Sequence, residues 1–380
     1  MTSIDQNLSE PIEDRCIERM KILFGMPSAD SWGGPAACEP PFVEAVKDAG
    51  VTVATETYVY GDTEKATASL SRVIRVIKTA LRFRRRLANE SFDLIHLNTA
   101  FDKKTLLRDA ISIFLFGRHP RIFLKIHGSS AQTIPVNSFI FKRLIKYIDR
   151  NVAGYGIFTK EELTSLAARG LNPDKFHIVK NVVEIDIDSR SETAKSQSDR
   201  TELVFVSRFV ETKGLIETIR AVKIAVDLGA NLSLTCVGDG PIKEEAKELV
   251  AGLELNDRVN FTGYVPESEV EKHLQGSDIF LFPTRHNEGF PIALFKAALA
   301  GLPIITTQIR AAAEYFEDGV NCLFCTTDPN DIAEKIIRLA GDEALRERMS
   351  IANRKFGAML TPQNMAREYL EIYERVLKGN

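Results

Sequence analysis

Arg208 and Lys213 stand just after the apolar run Leu203–Ser207 and just before Gly214. If the run is a strand and the following segment a helix, both cations sit beside unpaired helix N–H groups and the positive end of the helix dipole. Arginine gives planar, bidentate contacts and lysine a compact point charge, so a diphosphate is the natural guest. A solvated loop with two surface cations is the plain alternative. Val237-Gly238-Asp239-Gly240-Pro241 ends a second apolar run. Its glycines allow either a close approach by a ligand or merely a tight turn. A third run, Ile279–Pro283, leads through a polar turn to Glu288-Gly289-Phe290-Pro291 and then a helix. A carboxylate just before a helix start is electrostatically favoured. It can hold sugar hydroxyls while the exposed amides face an anion, or it can be an ordinary capping group.

The elements that must position these residues alternate along the chain. Strands are expected at Lys21–Pro27, Val51–Tyr60, Phe92–Asn98, Arg121–His127, Gly154–Thr159 and Phe176–Asn181. After a polar, Ser-rich stretch they resume at Leu203–Ser207, Leu232–Val237, Val259–Thr262, Ile279–Pro283 and Ile304–Thr307. Helical periodicity separates most of them, for example over Lys65–Asn89 and Gly214–Leu228. Strand–helix alternation implies parallel sheets with crossover helices. The fold class is therefore α/β, two Rossmann-like doubly wound domains facing an interdomain cleft, with ligands at the carboxyl ends of strands. The expected bounds are a flexible lead-in over 1–20, a first domain over 21–184, a linker over 185–200 and a second domain over 201–361. An amphipathic helix over 362–380 follows.

The chain has 380 residues, 44% hydrophobic and 27% charged. At about 150 residues per domain that is two or three domains. Disulfide-stapled miniproteins and low-complexity disordered chains are excluded. Five cysteines without a dense framework suit a reducing compartment. No run approaches the roughly 18 apolar residues of a spanning helix, and the acidic start does not read as a secretory signal. Cys322-x-x-Cys325 lacks partner ligands and reads as structural. Asp186 and Asp188 have the spacing of a metal-binding pair but open the polar linker, so a surface reading is preferred. No metal site is expected.

Taken together, these segments resemble the retaining GT-B-fold glycosyltransferases of family 4, the glycosyl transferases group 1. The resemblance runs from Lys21 to Lys378 and is most specific from Leu203 to Asp318. The family's R-x4-K phosphate clamp matches Arg208 and Lys213. Its glycine turn matches Gly238 and Gly240, and its E-G-F/Y-P helix start matches Glu288 to Pro291. Phe261-Thr-Gly263-Tyr264-Val265-Pro266, Ala300–Ile305 and Glu317-Asp318-Gly319 also stand where the family has them. In the first half, Gly33 and Gly34 resemble its glycine loop, and His127 resembles its histidine after a strand. The last helix resembles one that crosses back onto the first domain. One position departs: where the family has a second glutamate, eight residues after the first, this chain has Lys296. A lysine can donate but not accept hydrogen bonds. Either it contacts a ribose oxygen or a phosphate, or it points away.

The resemblance implies sugar transfer from a nucleotide sugar, UDP- or GDP-linked, to a hydroxyl acceptor with retention of anomeric configuration. Glu288, His127, Arg208 and Lys213 are the implied catalytic groups. Gly33, Gly34, Gly238, Gly240, Gly289, Phe290, Pro291 and Lys296 are the implied donor contacts. No cofactor beyond the co-substrate is implied. The expected function is assembly of a surface glycan such as lipopolysaccharide, capsule or exopolysaccharide. Soluble sugar metabolism and a weakly active or non-catalytic nucleotide-sugar-binding subunit are the alternatives, the last suggested by Lys296.

Charge adds a partner. The net charge is −3, yet Lys65–Arg150 holds 18 Lys and Arg against 5 Asp and Glu. Arg72, Arg75, Lys78, Arg82, Arg84, Arg85 and Arg86 interleave with Val73, Ile74, Val76, Ile77, Leu81 and Phe83. Basic residues beside apolar ones suit an anionic membrane surface, where a lipid-linked glycan acceptor would arrive. A solvated helix face is the alternative. No nucleic-acid motif accompanies the patch. The expected location is cytoplasmic, peripheral at the inner face of the membrane.

Overall fold

The structure, a computed structural model, describes residues 20–28, 34–58, 69–128, 134–135, 138–185 and 200–379. The candidate Gly33, its neighbour Trp32 and nearly all of the expected linker lie outside the described residues.

The first sheet holds β1 (Lys21–Met26), β2 (Thr52–Thr57), β3 (Leu94–Thr99), β4 (Arg121–Ile126), β5 (Val152–Ile157) and β6 (Phe176–Ile178) in the order β2-β1-β3-β4-β5-β6. The second holds β7 (Thr201–Val206), β8 (Leu232–Val237), β9 (Val259–Gly263), β10 (Ile279–Phe282), β11 (Ile304–Thr307) and β12 (Cys322–Cys325) in the order β12-β11-β10-β7-β8-β9. Both sheets are parallel. Parallel strands are covered on both faces, so they read as unbroken apolar runs. β3, β10 and β11 are accordingly buried at every position. Two strand expectations change. The second sheet extends past β11 to β12, and the strand expected over Phe176–Asn181 pairs over only three residues.

Helices α1 (Gly34–Asp48), α2 (Ser69–Asn89), α3 (Lys103–Phe116), α4 (Phe139–Asn151) and α5 (Lys160–Ala167) belong to the first half. Helices α6 (Leu215–Asp227), α7 (Lys243–Gly252), α8 (Glu267–Gln275), α9 (Ile292–Ala300), α10 (Arg310–Tyr315), α11 (Pro329–Gly341) and α12 (Glu343–Gly357) belong to the second. Among the described residues, no helix is long and apolar enough to cross a membrane.

The last helix, α13 (Pro362–Lys378), follows the second sheet but packs on α1, β4 and β5 of the first. Its buried face carries Met365, Tyr369, Ile372, Tyr373 and Val376, at the helical spacing read from the sequence. Tyr369 meets Phe42 at 4.6 Å between ring centroids, and Tyr373 meets Phe123 at 5.3 Å. Gly154 lets the helix come close: a Cβ there would lie 2.7 Å from a Val376 methyl. Lys180 pairs with Glu368 at 2.8 Å on the rim. Truncating Tyr373 to Ala is expected to remove about 3–5 kcal/mol of stability, as for other large buried rings. Urea denaturation measures it. A loss below about 1 kcal/mol would show that this ring does not anchor the helix.

Candidate active site

A crevice forms where a doubly wound sheet reverses its strand order, at the carboxyl ends of the two strands concerned. In the second sheet the reversal lies between β7 and β10. Arg208 follows β7 and Glu288 follows β10, so the topology brings together two residues far apart in sequence. The intervening loops are stitched to each other. Arg285 N–H donates to the Thr212 carbonyl at 2.7 Å, the Thr284 hydroxyl donates to the same oxygen at 3.0 Å, and Arg285 Nη2 donates to the Glu211 carbonyl at 3.0 Å. Gly214, at φ 84°, packs against Pro283, where a side chain would overlap the proline carbonyl.

The result is a direct ion pair between Lys213 Nζ and the Glu288 carboxylate, both largely buried. Arg208 is exposed beside them, anchored by the buried ring of Phe209. Burial, with the nearby Arg208 charge, lowers the Lys213 ammonium to about 8. The group is cationic at neutral pH. His286 is likewise lowered, by burial and then by Lys213, Arg208 and Arg310. The crevice is therefore a concentrated cationic site with the Glu288 carboxylate inside it.

Of the two uses open to the glycine turn, the structure shows close packing of the turn on the chain itself. Gly238 takes φ 138°, and a side chain there would overlap the Ser207 carbonyl. A side chain on Gly240 would overlap the Phe209 carbonyl. Phe209 N–H donates to the Asp239 carbonyl at 2.9 Å. The glycines thus seat the loop that carries Arg208, and their close approach is to the chain's own backbone.

Phe290 and Pro291 are buried. The Phe290 ring stacks on Phe295 at 3.6 Å and meets Phe158, in the first half, at 5.4 Å. Pro291 caps α9. Lys296 does not extend as a bare cation toward Glu288. Its ammonium lies 2.7 Å from Glu267 and 2.9 Å from Glu271, both on α8. A donor role for Lys296 would have to run through that cluster.

Across the crevice stands the end of β4. His127 Nε2 lies 2.7 Å from Asn98 Oδ1 and 3.5 Å from Glu39 Oε1. Glu39 also pairs with Lys125 at 2.7 Å, and both are almost wholly buried. Burial resists the charge on Glu39, but Lys125, His127 and His96 hold its carboxyl well below the usual range. Burial dominates at His127 and lowers it to about 4, so the ring is neutral at neutral pH. Asn98 is held in turn: Arg108 Nη2 donates to its carbonyl at 3.0 Å, and Arg108 Nε donates to Asp109 at 2.8 Å.

The two halves touch at this site. Gly289 faces Gly128, the residue after His127, so closely that a Cβ on Gly289 would overlap Gly128 Cα. Gly34 opens α1 opposite Ile292, the first residue of α9, with 3.8 Å between a built Cβ and the isoleucine side chain. The Tyr315 hydroxyl donates to the Phe158 carbonyl at 2.5 Å. Arg310 reaches Glu161 at 3.2 Å and Glu162 at 3.9 Å. Arg310 is buried, has φ 30° and belongs to the cationic site, yet nothing in its sequence neighbourhood distinguished it. Glu39, Lys125 and Asn98 were also missed. Each does carry a signal, a polar or ionisable residue inside an apolar stripe or strand. Cys322 and Cys325 sit in β12, where burial raises both thiols, Cys325 to about 12. Neither is a thiolate at neutral pH.

Comparison with known proteins agrees with this geometry. Residues 186–356 match the glycosyl transferases group 1 family. The chain is 28% identical over 222 residues to the amylovoran biosynthesis glycosyltransferase AmsK of Erwinia amylovora, covering 57% of this chain and 51% of that one. It is 28% identical over 148 residues to the putative colanic acid biosynthesis glycosyltransferase WcaL of Escherichia coli, covering 37% and 36%. The matched region thus spans about half the length of AmsK or less of WcaL. Among solved structures, Anabaena HepE in complex with UDP and glucose superposes with a TM-score of 0.70 at 17% identity, over 93% of this chain and 99% of that one. The shared architecture is the GT-B fold.

Arg208→Ala and Lys213→Ala are each expected to weaken inorganic pyrophosphate binding by roughly ten- to a hundredfold, the loss of one charge-assisted contact. The free Lys213 ammonium titrates near 8. Affinity carried by that ammonium should therefore fade as pH rises through this value, and Lys213→Ala should remove the step. Calorimetric titrations of both proteins from about pH 7 to about pH 9 check this. Parallel pH profiles for the parent and Lys213→Ala would exclude the lysine as the binding cation.

Proposed function

We propose, from the membership of residues 186–356 in the glycosyl transferases group 1 family, that this chain moves a sugar from a nucleotide-sugar donor to a hydroxyl acceptor with retention of anomeric configuration. The observation that carries the proposal is the Lys213–Glu288 pair beside Arg208 at the β7–β10 reversal. Breaking the bond from sugar C1 to the phosphate oxygen builds positive charge on the ring and negative charge on the departing diphosphate. Arg208 and Lys213 are preorganised cations for the second charge, worth more in a partly dry crevice than in water. Once phosphate oxygens take up the lysine, Glu288 is released to accept hydrogen bonds from sugar hydroxyls. His127, neutral and at the facing strand end, contacts the sugar from the other side. In this reading the acceptor hydroxyl attacks from the face the diphosphate leaves, passing its proton to a leaving-group oxygen. No protein nucleophile takes part.

Polysaccharide assembly is the favoured setting, because AmsK and WcaL are named for that work. A UDP-linked donor is favoured by HepE, whose complex contains UDP and glucose. The acceptor side would work at the inner membrane surface. On α2, Val73, Ile74, Ile77 and Leu81 are exposed, and on α4 Phe139 and Ile140 are, among Lys78, Arg82, Lys142, Arg143 and Lys146. The helices flank an open apolar groove of about 430 Å³ lined by Ile77, Ile111, Phe114, Leu144 and Tyr147.

Incubation with a panel of radiolabelled UDP- and GDP-sugars, with and without lipid-linked acceptors, is expected to give transfer or slow donor hydrolysis. Glu288→Gln should lower that rate by about a hundredfold. Tight UDP binding with no turnover of any donor would favour a non-catalytic subunit instead. Co-sedimentation with phosphatidylglycerol vesicles, but not phosphatidylcholine ones, tests the membrane face. Binding should weaken at high salt and on Phe139→Asp/Ile140→Asp. Full recovery in the supernatant with both lipids would leave a soluble acceptor as the reading.

A further inference from the structure

Three ionisable side chains occupy places where packing calls for apolar ones: Glu39 on the buried face of α1, His96 in β3 and Lys125 in β4. A buried ion pair is poor evidence of a stabilising device, because desolvation offsets most of the attraction. Their arrangement around His127 suggests another use. We infer that Glu39, held in place by Lys125, is a positioning residue that fixes the proton of His127 on Nε2 and the rotation of its ring at the cleft. The inference rests on the proposed assignment of His127 to the donor sugar.

The hydrogen-bond directions are determined by the partners. Asn98 Nδ2 donates to the Gly25 carbonyl at 3.3 Å, which turns Asn98 Oδ1 toward His127 Nε2 at 2.7 Å. Glu39 Oε1, 3.5 Å from the same nitrogen, is a carboxylate oxygen and can only accept. Both neighbours require the hydrogen on Nε2, so Nδ1 is the accepting nitrogen of the ring. A histidine set in this way presents Nδ1 as a hydrogen-bond acceptor. Without the carboxylate the preference loses a fixed acceptor, and the Asn98 amide presents a donor if it rotates.

Glu39 is itself held chiefly through Oε1. Lys125 Nζ donates to Oε1 at 2.7 Å and lies 5.4 Å from the Phe42 ring and 5.2 Å from the Tyr369 ring. His96 Nε2 faces Oε2 at 3.8 Å, while His96 Nδ1 meets the Tyr373 hydroxyl at 2.6 Å. The Cys38 thiol points to Oε1 at 3.8 Å. The ionisable groups around the carboxylate are thus Cys38 from α1, His96 and Lys125 from the sheet, His127 beyond β4, and Tyr369 and Tyr373 from α13. Through the two tyrosines the last helix bears on the same carboxylate that orients the cleft histidine.

Nitrogen-15 NMR of the histidine-labelled full chain reads the tautomer directly. The parent protein is expected to show His127 as a single Nε2–H form near neutral pH. Glu39→Gln/Lys125→Met removes both charges without stranding either. In it the His127 signals should lose their single-tautomer pattern, and kcat for transfer or donor hydrolysis should fall about tenfold or more, as for a displaced contact group. UDP affinity, carried by the other domain, should not change. A parent His127 protonated on Nδ1, or a double variant that keeps both the tautomer and kcat, would overturn the inference. Should the double variant not fold, the parent spectrum still decides. A His127→Ala variant with full activity would instead remove the role proposed for His127, while the spectra would continue to judge Glu39.

Discussion

In each sheet the chain lays its first strand in the interior and then builds outward to both sides, so the order reverses beside β1 in one sheet and beside β7 in the other. Crossover helices return on opposite faces on either side of that point and leave a crevice at the strand ends. The rest of the site follows from this constraint. It places the loop after β7 against the loop after β10, and Lys213 against Glu288. In the first sheet it leaves Gly34 and His127 near the corresponding reversal. The two crevices meet at Gly128 and Gly289, where a side chain on Gly289 would overlap the Gly128 α-carbon.

The two sides of the cleft solve the problem of buried charge differently. On the donor side Lys213 and Glu288 neutralise each other in a partly open setting. In the proposed reaction the pair would be exchanged for a diphosphate and a sugar, each partner acquiring a new ligand of the right sign. On the other side Glu39 and Lys125 are sealed by α1, β3, β4 and α13 and cannot be reached by a ligand. A sealed pair of charges has no exchange to make, and what it can contribute is direction. Its hydrogen bonds are directional in a way that apolar packing around His127 would not be.

Lys296 shows how a local departure is absorbed. A cation in the second turn of α9 is accommodated by two carboxylates of α8, Glu267 and Glu271. The charge is balanced within the second domain, and the pair ties α9, which begins at the site, to its neighbour. α13 performs the corresponding connection between domains. It follows the second sheet in sequence, yet its tyrosines reach the buried charges of the first.

Much was legible in the sequence alone. Eleven of the twelve strands were legible, most as apolar runs because parallel strands are buried on both faces and β2 by its alternation, and α13 appears from the spacing of Met365, Tyr369, Ile372, Tyr373 and Val376. Arg208, Lys213 and Glu288 were legible because each follows an apolar run, the place where an open sheet presents its ligating groups, and His127 through the family resemblance. Only the tertiary structure decided what those residues touch. That Gly238 and Gly240 lie against the backbone of Ser207 and Phe209, that Lys296 turns to α8, and that Arg310 enters the cationic site all depend on segments distant in sequence. Glu39, Lys125 and His96 interrupt apolar patterns, but that signal alone did not single them out. Their convergence on one carboxylate required the packing of four elements, because a hydrogen bond is decided within a few tenths of an ångström and sequence periodicity conveys only which face a residue occupies.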